Sequence, residues 1–140
     1  MESNYKDIYI SRKIDKSKIE EIVSLLHKSE WASERKDKEI EKSIVNSHCY
    51  IACTCENEIV GFARIITDFV TTFYLMDVIV KEAYRGQGIG KKLMDTIMED
   101  IGELYGILHT DSAQRFYEAY GFVVTSTSES GESIMEKRRG

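Results

Sequence analysis

Seven consecutive residues, Arg85-Gly86-Gln87-Gly88-Ile89-Gly90-Lys91, follow the apolar run Val78-Ile79-Val80 and lead into the amphipathic stretch that contains Leu93 and Met94. That order of residue types is chemistry for an anion. Glycine lets a phosphate approach the backbone without meeting a Cβ. A helix that starts in such a turn leaves its first amide N–H groups without intrahelical acceptors, at the positive end of the helix dipole. Arg85, Lys91 and Lys92 bring cationic side chains to the same place, and the reading is a pyrophosphate cradle. The spacing excludes two common nucleotide motifs. Glycines at 86, 88 and 90 read Gly-x-Gly-x-Gly, whereas a dinucleotide fold needs Gly-x-Gly-x-x-Gly. A P-loop needs four residues between its glycines and a hydroxyl after the lysine, but only three separate Gly86 from Gly90, and Lys92 stands where the hydroxyl belongs.

A second candidate lies downstream, in Thr110-Asp111-Ser112-Ala113-Gln114-Arg115-Phe116-Tyr117-Glu118-Ala119-Tyr120-Gly121-Phe122. It reads as a short helix with an acceptor-rich start at Thr110, Asp111 and Ser112 and a glycine stop at Gly121. Within it Tyr117 is either a packed aromatic with a satisfied hydroxyl or a proton donor.

Taken together, the two segments carry a family resemblance. Arg85-x-x-Gly88-x-Gly90 resembles the acyl-CoA-binding motif of the GNAT superfamily of N-acetyltransferases. The downstream segment is similar to that family's C-terminal signature, Ala-x-x-Phe-Tyr-x-x-x-Gly-Phe. The resemblance implies a splayed strand pair that holds acetyl-CoA, with Val78, Ile79 and Val80 on one side of the gap and the strand Gly106 to His109 on the other. It implies a cofactor site of those three residues, the turn Arg85, Gly86, Gln87, Gly88, Ile89, Gly90 and Lys91, and Thr110, Ala113 and Tyr117. Where the family often has an asparagine, this chain has Thr110. The implied chemistry is direct attack of an amine on the thioester, without a metal. The backbone N–H of Val78 would stabilise the oxyanion and Tyr117 would protonate the departing thiolate.

The general base is open among Asp77, Asp68, Tyr74, Glu58 and His48. Asp77, immediately before the cofactor strand, is the one placed in the catalytic set, with an exposed carboxylate or a partner for Arg64 as the other reading. Trp31, Arg35 and Tyr74 are the acceptor-side candidates. An arginine there would favour a carboxylate-bearing amine; the competing reading packs Trp31 and pairs Arg35 with Glu39. The expected function is acetyl transfer to the primary amine of a small molecule such as an amino acid, polyamine or peptide. A protein acetyltransferase and a non-catalytic acyl-CoA-binding module are the alternatives, and a homodimer through strands in 122–137 is what the family implies.

These groups need elements to position them. Alternation of Ile8, Tyr9 and Ile10 predicts a strand over 7–11, and helical spacing predicts helices over 17–28 and, more weakly, 34–46. Strands are expected over 48–54, 59–67, 72–80, 104–109, 122–127 and 133–137, with helices over 88–101 and 113–120. Ile89, Leu93, Ile97 and Ile101 form one apolar stripe. The result is a single α+β domain over residues 1–140 with a mixed, mostly antiparallel sheet flanked by helices.

Composition narrows the partners. A net charge of −5, from 19 Lys and Arg against 24 Asp and Glu, argues against a nucleic-acid surface. No apolar run approaches a membrane span, and residues 1–7 do not read as a signal peptide, which makes the cytoplasm the expected location. Cys49, Cys53 and Cys55 alternate on one strand face and read as three small buried hydrophobes in a reducing compartment. His48 beside them lacks the second ligand cluster that zinc would need.

Overall fold

The computed structural model describes residues 7–140, so most of the stretch read for a signal peptide lies outside the described residues. The elements are β1 (Tyr9–Ser11), α1 (Lys16–His27), α2 (Asp37–Val45), β2 (His48–Cys53), β3 (Ile59–Thr67), β4 (Thr72–Val80), a 3-10 turn (Glu82–Tyr84), α3 (Ile89–Ile101), β5 (Tyr105–Thr110), α4 (Gln114–Glu118), β6 (Val123–Thr127) and β7 (Ser133–Lys137). The seven strands form one sheet in the order β1-β2-β3-β4-β5-β7-β6. Every neighbouring pair is antiparallel except β4 and β5. This is the mixed α+β architecture that the sequence predicts.

Period-two alternation divides the sheet between two cores. On one face Tyr50, Ala63, Ile65, Phe73 and Leu75 meet the buried stripe of α3. On the other, Ile51, Phe62 and Ile79 meet Ile22, Leu26, Ile40 and Ile44 of α1 and α2. Burying one such side chain stabilises by about 1.5–3 kcal/mol. The two stripes therefore fix which helix covers which face.

Alternation breaks in β3, where Val60 and Phe62 fall in opposite cores, and again in β4. Phe73 and Leu75 face α3, yet so do Val78 and Val80, while Ile79 faces α1 and α2. The register with β3 shifts between Phe62 and Arg64, and Asp77 has φ 56°, so a β-bulge sits at Asp77. Aspartate is one of the few residues that adopt this left-handed geometry readily. The bulge turns the Asp77 side chain toward the α1–α2 face and puts Val78 and Val80 back in phase with α3.

β4 and β5 pair only at Thr72↔Tyr105, Phe73↔Gly106 and Tyr74↔Ile107. Beyond those pairs β4 runs on to Val80 and β5 to Thr110, so the parallel strands diverge. Gly106 sits at the closed end, where a Cβ would lie 2.4 Å from Phe73 Cζ, and only glycine allows the close approach.

Three local expectations are corrected. The segment from Trp31 to Arg35 is a turn between α1 and α2, and α2 starts at Asp37 rather than at residue 34. Cys49 and Cys53 are buried in the α1–α2 core, but Cys55 lies past the end of β2 and is exposed. A 3-10 turn separates β4 from the glycine turn, so the strand does not feed directly into it. No described helix is long and apolar enough to cross a membrane.

Candidate active site

The gap between β4 and β5 opens into a cleft of about 440 Å³. Trp31, Arg35, Tyr74, Asp77, Val78, Thr110, Ala113 and Tyr117, all singled out from the sequence, line it. Because the gap lies in the sheet, its contents divide by face. Tyr117 belongs to the α3 core, and Trp31 and Arg35 belong to the turn between α1 and α2. The gap thus joins two half-sites through the sheet.

Residues 85–91 lie outside the cleft lining, and the start of α3 adjoins it at the end of β4, where a Cβ at Gly90 would lie 3.5 Å from Phe116 Cζ and 4.0 Å from Val80 Cγ2. The first intrahelical bond of α3 runs from Lys92 N–H to Gly88 O at 3.0 Å, and no side chain caps the end. The amides of Ile89, Gly90 and Lys91 are consequently left for an external acceptor. Gly88 has φ 81°, a conformation that a Cβ would strain, and no atom lies within 4 Å of where that Cβ would be. Arg85 Nε donates to Val80 O at 3.1 Å, which anchors the guanidinium beside the end of β4. Lys91 is exposed and pairs with Asp95 at 2.8 Å. Lys92 departs from expectation: it turns toward β1 and donates to Ile8 O at 3.1 Å, away from the cradle. Ile79 and Ile89 are buried in the two cores, so only their backbone groups can serve the gap.

A separate network pins the 3-10 turn that leads into the cradle. Lys81 Nζ donates to Glu58 Oε2 at 2.6 Å and Tyr84 OH to Glu58 Oε1 at 3.1 Å. The hydrogen bond from Lys81 holds the Glu58 carboxyl below its ordinary range. Glu58 is therefore an anchor outside the cleft lining.

Tyr117 is only 7% exposed, wedged against Phe116 and Phe122 at ring separations of 5.0 and 6.2 Å. Burial alone pushes its phenol up to about 12. At neutral pH the proton stays on a hydroxyl that borders the cleft. The helix that carries it is short, with the Ala113 N–H donating to Thr110 Oγ1 at 3.0 Å at its start.

On the opposite face, Asp77 Oδ2 accepts from Arg35 NH1 at 2.9 Å and from Arg64 Nε at 2.8 Å. The carboxylate is 3% exposed, and Arg64 NH1 also donates to Ser47 Oγ at 3.1 Å. Of the two readings of Asp77, the partner of Arg64 is the one found, with Arg35 as a second partner. Arg35 pairs with Asp77 and not with Glu39, and its guanidinium lies 5.6 Å from the Trp31 ring.

Asp68 and His48 lie outside the cleft lining. Asp68 closes the β3–β4 turn, accepting from the Val70 and Thr71 N–H groups at 2.9 and 2.8 Å, and the Thr71 hydroxyl holds its carboxyl well below the usual range. His48 packs edge-to-face against Tyr50 and Phe69, and burial lowers its imidazole. His109, read from the sequence only as the end of the strand that walls the gap, and Glu132, which sequence reasoning missed, both line the cleft, with Nδ1 and Oε1 3.6 Å apart. No local pattern marks either one; β5 contributes the histidine and the β6–β7 connection the carboxylate.

The domain profile described as acetyltransferase (GNAT) domain matches residues 46–124, from the end of α2 into β6 and over more than half of the chain. The chain belongs to the GNAT acetyltransferase family. Among solved structures, the acetyltransferase is similar to a GNAT-family protein from Xanthomonas campestris pv. campestris, at 31% identity and TM-score 0.73 over 84% of this chain and 85% of that one. The PaiA N-acetyltransferase of Thermoplasma acidophilum, solved with coenzyme A, shares the fold at TM-score 0.75 and 20% identity over 94% and 98% of the two chains. So does the ribosomal-protein-S18-alanine N-acetyltransferase of Escherichia coli, at TM-score 0.75 and 15% identity over 93% and 92%. No curated protein matches the acetyltransferase by sequence.

Proposed function

We propose that this acetyltransferase transfers the acetyl group of acetyl-CoA to the primary amine of a small molecule by direct attack. One observation carries the reading: a buried, protonated tyrosine borders the cleft where β4 and β5 diverge, and an uncapped helix start with cationic neighbours lies by the end of β4. The amides of Ile89, Gly90 and Lys91, with Arg85 and Lys91, suit the pyrophosphate. Unpaired backbone of β4 after Tyr74 suits the amide-rich pantetheine arm, which can add to it as a strand would. The CoA-bound relative from Thermoplasma acidophilum supports this ligand for the shared fold.

In this mechanism the Val78 N–H stabilises the tetrahedral oxyanion and Tyr117 gives its proton to the leaving thiolate. Asp77 acts as a positioning residue. Its Oδ2 already accepts two guanidinium bonds, and its left-handed backbone creates the bulge that presents Val78. On the acceptor side, Arg35 is the guanidinium that lines the cleft, beside the carboxylates Asp77, Asp111 and Glu132. Arg35 is the group that would meet a carboxylate borne by the amine, with Trp31 and Tyr74 for its apolar part. The three free cysteines fit a reducing, cytoplasmic setting.

The test is calorimetric titration with acetyl-CoA, ATP and NAD, followed by CoA-release assays over amino acids, polyamines and short peptides. Micromolar binding of acetyl-CoA alone and amine-dependent CoA release are expected. Binding of ATP or NAD instead overturns the reading, and acetyl-CoA binding without turnover on any amine reduces it to a binding module.

A further inference from the structure

Resting on the proposed acetyl transfer, we infer that His109, supported by Glu132, is the general base that removes a proton from the acceptor ammonium. An amine arriving as R–NH₃⁺ has no lone pair to attack with, so the acceptor half-site needs a proton acceptor. Asp77 Oδ2 is occupied by two guanidiniums, and Tyr117 lies on the α3 side with its proton in place for the thiolate.

Strand parity identifies what remains. Gly106 is packed on Phe73 and Leu108 is buried in the α3 core, so His109 projects to the α1–α2 face. It stands two residues past Ile107, the last β5 residue paired with β4, and so lies on the diverging wall of the gap. Its ring lies 5.7 Å from that of Tyr74, and its Nδ1 lies 3.6 Å from Glu132 Oε1. Nε2 has no hydrogen-bond partner among the described residues. The charged and titratable groups facing the cleft around it are Glu132 from the β6–β7 connection, Tyr74 and Asp77 from β4, Asp111 from the loop after β5, Tyr117 from α4, and Arg35 from the α1–α2 turn. Glu132 is the one in contact, with its Oε1 on the Nδ1 side of the ring, which leaves Nε2 toward the cleft.

The step balances. Nε2 takes one proton from R–NH₃⁺ and the freed nitrogen lone pair forms the C–N bond to the thioester carbonyl. The C–S bond breaks, and the thiolate takes the Tyr117 proton. The phenolate recovers a proton as the new amide nitrogen sheds its second one, and the imidazolium releases its proton to solvent. The sum is R–NH₃⁺ plus acetyl-CoA giving the amide, CoA thiol and one H⁺.

The experiment compares wild type, His109→Gln and Glu132→Gln with n-butylamine and the wild type's best amines, cationic at pH 7, and with hydroxylamine, largely neutral there. With the alkylammonium substrates, His109→Gln is expected to lower kcat at least tenfold while KM for acetyl-CoA stays within twofold. The deficit shrinks as pH rises, because solution then supplies free amine. Hydroxylamine, which needs no such base, reacts within about threefold of wild type, and Glu132→Gln shows the same pattern more weakly. Equal loss with both nucleophiles, or no loss with either, overturns the assignment. A wild type that binds acetyl-CoA yet turns over no amine overturns the transfer reading itself and this assignment with it, a result distinct from an active wild type matched by an active His109→Gln.

Discussion

The two half-sites that meet at the gap are built in opposite ways. On the α3 side, the cradle and the tyrosine helix each come from one short stretch of chain, and their geometry follows from local rules about glycine turns and helix ends. On the α1–α2 side, Trp31, Arg35, Tyr74, Asp77, His109 and Glu132 come from four separate segments. They converge only because strand parity, a bulge and two loops place them together. A site for a ligand part shared by many enzymes can be a local cassette, whereas a site for a particular acceptor is assembled by the fold.

The largest expected effect tests the assembled half. Asp77→Ala leaves the 12%-exposed Arg64 without its carboxylate and puts a residue with no polar compensation at φ 56°. A loss of about 3–5 kcal/mol in urea denaturation is expected, with Asp77→Asn milder because asparagine tolerates that backbone. If Asp77→Ala costs under about 1 kcal/mol, the cluster is not what holds the acceptor side together. Next comes Tyr117→Phe, which should lower kcat by about a hundredfold, the low end for general acids because thiolate leaves readily. Acetyl-CoA affinity by calorimetry should hardly move. Gly88→Val should weaken acetyl-CoA binding about tenfold or more through strain at φ 81°, with little change in the KM for amine.

Smaller effects distinguish the two faces by pH. Burial raises Cys49, in the α1–α2 core, to about 12 from 9.0, and Tyr117, in the α3 core, to about 12 from 10.0. Each folded pKa lies above its unfolded value, so the unfolded chain releases the proton first and stability falls as pH rises. The loss begins near pH 9 for Cys49 and near pH 10 for Tyr117, with a slope of up to about 1.4 kcal/mol per pH unit for each group. In alkaline melts Cys49→Ala should remove the earlier decline and Tyr117→Phe only the later one. The smallest change is Asp95→Ala, which breaks an exposed i, i+4 pair with Lys91. It should alter stability by only tenths of a kcal/mol and leave acetyl-CoA binding equal or slightly tighter, since Lys91 is released.

The strands over 59–67, 72–80 and 133–137 are found at the predicted bounds because alternation and turn residues mark both ends. The predicted helix over 34–46 lost its first turn for a tertiary reason: the Arg35 side chain is held by Asp77, from a turn. Cys55 was read as buried by extending the β2 alternation past the point where the chain turns. Lys92 was read with the cradle from its adjacency to Lys91, yet on a helix successive residues point about 100° apart, and Lys92 faces β1.

By itself, then, the sequence determined the family, the order of elements, the glycine turn that opens α3 and the short helix that carries Tyr117, since each depends on residues close enough in the chain to constrain one another's backbone. The tertiary structure alone decided that Asp77 is clasped by two arginines, that a bulge returns Val78 to the α3 side, and that His109 and Glu132 join the cleft. Contacts between residues 13 to 42 positions apart leave no periodicity in a sequence; what selects them is which faces can be buried together once the sheet has formed.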